Sequence, residues 1–240
     1  MVNDEGYSAT VDRATGLDDP VGESLRGRHA HLARRLGRAA VYLPEVSTFA
    51  AVGADPDAQT WADLAHLLGR GAVADMFSST ALPPADWEPV LVLDGRQMIG
   101  AGRPDHPRDE RDAEVIELGA DSVPEMLDLV ARTRPGPFWP RTHELGTYLG
   151  IREHGTLVAM AGERLRPPGW TEISAVCTAP EARGKGYAAR LIRTLVARIA
   201  ARGERPFLHA VETNTGAIAL YEKLGFRTRT HVTFRAFRTP

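Results

Sequence analysis

Between Ile173 and Leu191 a strand-like run passes through Arg183-Gly184-Lys185-Gly186 into a long stretch with apolar residues at helical spacing. This order reads as strand, glycine turn, amphipathic helix. Glycine lacks a Cβ and admits positive φ, so a ligand can come close to the backbone. The first N–H groups of a helix have no intrahelical partner and lie at the positive end of its dipole. Together these features suit a phosphorylated ligand.

Composition narrows the classes. The chain has 240 residues, enough for one large domain or two small ones, with 43% hydrophobic and 25% charged residues. A formal net charge of −2 gives no global attraction to nucleic acid or anionic membrane. Cys177 is the single cysteine, so no intrachain disulfide forms, which fits a reducing compartment. The first residues are acidic and lack the apolar core of a secretory signal. No apolar run approaches the ~20 residues needed to span a bilayer. A cytoplasmic protein without nucleic-acid or membrane partners is the expectation.

Residues 1–20 are polar and aperiodic and are expected as a mobile tail. The next stretch, 21–112, predicts a divergent N-terminal α/β domain. It holds a basic helix over 21–39 with Leu25, Leu32 and Leu36 inward, and a helix over 60–68 with Trp61, Leu64, Leu67 and Leu68 inward. Strands over 90–93 and 97–100 would be joined by an Asp94-Gly95 turn. The charged, proline-bearing stretch 102–112 is expected as a domain boundary.

The second domain, 113–240, predicts a strand at 115–118 and a helix from Asp121 or Ser122 to Ala131, with Pro124 in its first turn. A hairpin over 148–161 and a strand over 171–178 follow. Next come a helix over 187–201 ended by Gly203, a strand over 207–211, a helix capped by Asn214 and ended by Gly225, and a last strand over 226–237. The order β-α-β-β-β-α-β-α-β is that of a mixed α/β sheet protein. Residues 91–102 and 149–162 echo each other weakly, which would make the first half a decayed copy of the second.

Three motifs compete for the glycine turn. A phosphate loop requires Ser or Thr after Gly-Lys, and Gly186 stands there. A dinucleotide fingerprint fits Gly184-x-Gly186-x-x-Ala189, with Glu212 ending the next strand. However, residues 179–183 separate strand from glycine, and too little chain follows for a doubly wound sheet. The third reading fits best. Arg183-x-x-Gly186-x-Ala188, following Val176-Cys177-Thr178, resembles the acyl-CoA signature of the GNAT superfamily of N-acyltransferases. The run from Asn214 through Tyr221 to Phe226 is similar to that family's C-terminal motif, in the same order and spacing. The resemblance covers about residues 113–237, and its layout is similar to the glycine N-acyltransferase-like subgroup.

The resemblance implies a GNAT fold in the C-terminal half and an acetyl-CoA-dependent N-acetyltransferase acting on a small-molecule or peptide amine. It implies that the backbone at Val176, Cys177 and Thr178 pairs with the pantetheine arm. The turn Arg183, Gly184, Lys185, Gly186, Tyr187 and Ala188 would hold the pyrophosphate, and Asn214 would contact the cofactor where the central strands part. It implies that Tyr221 protonates the departing thiolate, and it implies no metal. A primary amine costs about 4 kcal/mol to deprotonate at pH 7, so a base is needed. Some family members carry a base glutamate at the place of Glu172, which strand alternation puts on one face with Ser174, Val176 and Thr178. His209, on the adjacent strand, is the alternative base.

Each residue also has a plainer reading. The glycines can simply shape a turn, Tyr221 can be a core aromatic, Glu172 a solvated rim residue, and His209 a structural histidine. Cys177 reads as a small packing residue. Trp139, Pro140 and His143 fall where the family builds its acceptor pocket. A non-catalytic acyl-CoA-binding module and, more distantly, a dinucleotide-binding oxidoreductase remain as alternatives. A homodimer is compatible with the sequence, which does not name the amine.

Overall fold

The computed structural model describes residues 15–101 and 114–240. Most of the expected tail and all of the expected boundary at 102–112 lie outside the described residues. In chain order the elements are α1 (Pro20–Arg26), β1 (Ala33–Leu36), β2 (Ala39–Tyr42), β3 (Ala50–Ala51), α2 (Ala58–Leu68), β4 (Val73–Asp75), β5 (Glu88–Ile99) and β6 (Ile116–Glu117). They continue with α3 (Val123–Thr133), β7 (Tyr148–Glu153), β8 (Thr156–Glu163), β9 (Trp170–Thr178), α4 (Tyr187–Ala201), β10 (Arg205–Val211), α5 (Thr215–Lys223) and β11 (Arg227–Arg238). From β6 onward the order is the one the sequence predicts, and the fold is mixed α/β.

An eight-stranded sheet in the order β4-β11-β5-β10-β9-β8-β7-β6 carries the molecule, and a small β1-β2-β3 sheet stands beside it. β5, from the first half, lies between β10 and β11 of the second. Its Met98 is fully buried in the same core as Leu191, Leu195 and Phe226. A second cluster joins Leu25, Tyr42 and Phe49 to Trp170 and Phe207. The halves divided at 112 and 113 in sequence thus share one sheet and one interior.

Three local expectations are corrected. The helix over 21–39 stops at Arg26, and residues 33–36 form β1. Leu25 and Leu32 are both buried in one cluster, but from different elements, so their spacing mimics a helix. His29, within the expected basic helix over 21–39, is 2% exposed and lies between the Tyr42 hydroxyl (Nδ1, 2.8 Å) and the Leu145 carbonyl (Nε2, 3.0 Å).

The Asp94-Gly95 pair is not a turn; β5 runs straight through it. A Cβ on Gly95 would stand 2.3 Å from the Phe234 ring and 2.8 Å from the Ala210 carbonyl, so this glycine serves close packing. Order also begins before residue 21: Leu17 is buried, and its carbonyl accepts from Gln97 Nε2 at 2.8 Å.

Candidate active site

The parallel strands β9 and β10 pair only where Trp170, Thr171 and Phe207 or their neighbours meet, ending at Phe207 and Glu172. Beyond that point they part, and β9 from Ile173 to Thr178 has no strand neighbour on that edge. The register of β8 against β9 also slips between Met160 and Gly162. Ala175 sits there with φ 51°, a β-bulge that turns the strand. The bulge breaks the alternation that placed Glu172 on one face with Val176 and Thr178.

A cleft of about 760 Å³ fills the gap between the strands. Of the predicted residues it brings together Val176, Cys177, Thr178, Arg183, Ala188, Asn214, Tyr221 and His209. Gly184, Lys185, Gly186 and Tyr187 form the adjoining turn, and Glu172 stands behind His209.

The turn has the geometry to hold an anion. Gly184 and Gly186 have φ of 80° and 78°, and a Cβ on either would meet nothing within 4 Å. Gly186 caps the 15-residue α4, with no side-chain cap and no acidic residue in the first turn. The first-turn N–H groups therefore keep their donors and their positive end for an external anion. Lys185 Nζ and the Tyr187 hydroxyl both reach Glu153, the lysine at 2.7 Å. That ion pair is exposed and weak.

Asn214 caps α5 by accepting from Ala217 N at 3.2 Å, and it lines the cleft. Tyr221, on α5, is 8% exposed and packs on Phe226 with ring centres 6.2 Å apart. Burial pushes its phenol up to about 12, so it carries its proton at neutral pH. Cys177 is buried and its thiol is pushed up to about 11 by burial, which suits packing and not nucleophilic attack.

The structure assigns the two candidate bases different places. Glu172 is fully buried, does not line the cleft, and takes a two-pronged pair from Arg164 at 2.8 and 2.7 Å. Burial raises its carboxyl, but Arg164 and His209 outweigh that and hold it at about 2. Its other partners are the Leu165 backbone N–H, which donates at 3.3 Å, and His209 Nδ1 at 2.6 Å. A carboxylate only accepts, so Nδ1 carries the proton and Nε2 the lone pair. Nε2 meets Gln97 Nε2 at 3.2 Å. Burial lowers the His209 pKa against the raising effect of Glu172, so the ring is neutral at pH 7. Glu172, expected as a base or, more plainly, as a solvated rim residue, is instead buried behind His209 and accepts a hydrogen bond from its ring.

Asp75, Phe77, Gln97 and Arg164 were not singled out by the sequence. Long-range pairing brings them here, through β4 and β5 on one side and the end of β8 on the other. The only local signal is the acid Asp75 and the aromatic Phe77 within a short apolar run, and Gln97 and Arg164 give none. The wall between α3 and β7 consists of Thr133 to Pro137, so Trp139, Pro140 and His143 do not line the cleft. Among the described residues no group of acids, histidines and cysteine is placed to hold a metal, and no helix is long and apolar enough to cross a membrane.

The family model for FR47-like proteins matches residues 148–235. A comparison with curated proteins returns no match. Among solved structures, a GNAT-family protein from Novosphingobium aromaticivorans DSM 12444 is 39% identical, with a TM-score of 0.83, over 93% of this chain and 98% of that one. A GCN5-related N-acetyltransferase from Kribbella flavida shares the fold at 17% identity and a TM-score of 0.62, over 95% of this chain and 97% of that one. With a relative this similar over nearly its whole length, the chain belongs to the GNAT family of acetyltransferases.

Proposed function

We propose that the protein moves an acetyl group from acetyl-CoA to a primary amine by direct attack in a ternary complex. The observation that carries this reading is one continuous cleft, with an uncapped, acid-free helix start at one end and both a neutral His209 and a protonated Tyr221 along its wall. The donor's pyrophosphate lies on the α4 amides, each charge-assisted bond contributing about 1.5–3 kcal/mol. The pantetheine arm runs along the unpaired edge of β9. The layout of the two motifs favours the glycine N-acyltransferase-like subgroup.

His209 Nε2 takes the amine proton in place of its contact with Gln97, and Glu172 holds the ring in that tautomer. The amine nitrogen bonds to the thioester carbonyl carbon, and β9 N–H groups hold the oxyanion. The carbon–sulfur bond then breaks, and Tyr221 gives its proton to the departing sulfur. Proton transfer of this kind is worth about 10²- to 10⁴-fold.

An amine-panel assay following release of the free CoA thiol tests the reading, with Tyr221→Phe alongside. Amine-dependent release is expected, slowed about 100-fold or more in Tyr221→Phe while acetyl-CoA affinity is unchanged. Full turnover in Tyr221→Phe removes it as the acid. Tight acetyl-CoA binding without turnover on any amine leaves a binding module. A thermal shift with NAD but none with acetyl-CoA overturns the donor.

A further inference from the structure

We propose that the end of the cleft built by the first half is the acceptor site, and that it takes a primary amine with an apolar body and no carboxylate, the ammonium on Asp75 and the body on Phe77, Leu91, Leu93 and Phe234. This rests on the acyl-transfer reading above and names its second substrate.

Asp75 closes β4 and lines the cleft. No salt bridge to it occurs among the described residues. Arg164, the neighbouring cation, is held by Glu172 at 2.8 and 2.7 Å and acts on Asp75 only through space. The Asp75 side chain also takes a hydrogen bond from Thr48. A largely buried carboxylate without a direct ion-pair partner is unfavourable, and a ligand ammonium would supply that partner. A second carboxylate on the ligand would meet Asp75 as a like charge, which sets amino acids apart from simple amines.

The apolar wall is an independent observation. β10 pairs with β5 from Gly95 to Ile99, and Glu212 N donates to the Asp94 carbonyl at 2.9 Å, so the stretch before Asp94 has no strand neighbour on that edge. Leu91 and Leu93 therefore remain 41% and 40% exposed, and both line the cleft. Phe234 is the cross-strand partner of Leu93, and Phe77 lies parallel to the Phe234 ring, 4.7 Å between ring centres at 10°, backed by Phe49 at 4.6 Å. The edge-on contact of Phe77 with His209 at 4.8 Å joins this platform to the proposed base. Gly95 is what lets Phe234 lie so close to β5.

The test compares phenethylamine with glycine as acceptors for the wild type and the isosteric Asp75→Asn, with Leu93→Ser as a second variant. Phenethylamine is expected to be the better acceptor. Asp75→Asn is expected to raise its KM roughly 10- to 100-fold, with kcat within a few-fold and acetyl-CoA affinity unchanged. Leu93→Ser is expected to raise the KM for phenethylamine but not for methylamine. An unchanged amine KM in Asp75→Asn, a preference for glycine, or a collapse of kcat alone overturns the proposal. A change in Leu93→Ser that follows acyl-chain length instead of the amine also overturns it, by giving the wall to the donor. If no amine is acetylated, calorimetry of phenethylamine into the CoA-loaded protein separates the two claims. Binding lost in Asp75→Asn keeps the site and sinks the transferase reading, whereas no binding to the wild type sinks the site.

Discussion

At the residue scale, Glu172 ties stability to chemistry. Removing one member of a buried ion pair leaves the other charged and unpaired, at a cost of about 3–5 kcal/mol. Glu172→Gln should therefore lower the unfolding midpoint in denaturant and also release His209 from its fixed tautomer, which a cavity-making core variant such as Leu195→Ala would not do. A midpoint shift without any change in the pH–rate profile would leave Glu172 a purely structural residue. His29 makes a pH prediction. Burial holds it at about 4, against an ordinary 6.5. The unfolded chain then binds the proton more readily between those values, so stability is full above about 6.5 and falls as pH drops toward about 4. Asp75, raised by burial to about 6, works in the opposite sense below that pH and offsets part of the fall. Thermal midpoints between pH 7 and 4.5 should drop less steeply in His29→Asn than in the wild type, and parallel curves would contradict this assignment.

At the element scale, the start of α4 is the decisive piece. Placing an acid in a first helical turn complements the dipole by about 0.3–1 kcal/mol. The same charge would repel a pyrophosphate. Ala188→Glu should therefore keep or slightly raise the melting temperature while abolishing acetyl-CoA binding in calorimetry. Wild-type affinity would remove the cradle assignment. This element was legible in sequence because glycine turn, helix and cap are all local: α4 spans the predicted 187–201, and Asn214 caps α5 as its position suggested. The first half was less legible. Leu25 and Leu32 imitate one helical face because two elements converge on one core, and Gly95 imitates a turn because close packing and tight turning both select glycine. Alternation along β9 misled for a third reason, since a bulge at Ala175 has no sequence signature.

At the scale of the whole molecule, the inserted β5 makes the two halves one structure. The glycine turn, Asn214, Tyr221 and His209 lie in the second half and were visible there. Asp75, Phe77 and Gln97 reach the site only through sheet pairings between residues far apart in sequence, as Gln97 with His209 and Asp75 with Ala236, which no local pattern encodes. A fragment of residues 113–240 would expose the edges of β10 and β11 and leave the Met98 position empty. It should aggregate or unfold without cooperativity, and a cooperative transition matching the intact protein would contradict the shared core. The central claim is direct transfer between a donor and an acceptor that occupy one cleft together. Initial rates with acetyl-CoA and amine varied against each other test it most directly. Direct transfer predicts intersecting double-reciprocal lines, unchanged in Cys177→Ala, whereas parallel lines from an acyl-enzyme or thiol release that ignores the amine would contradict it.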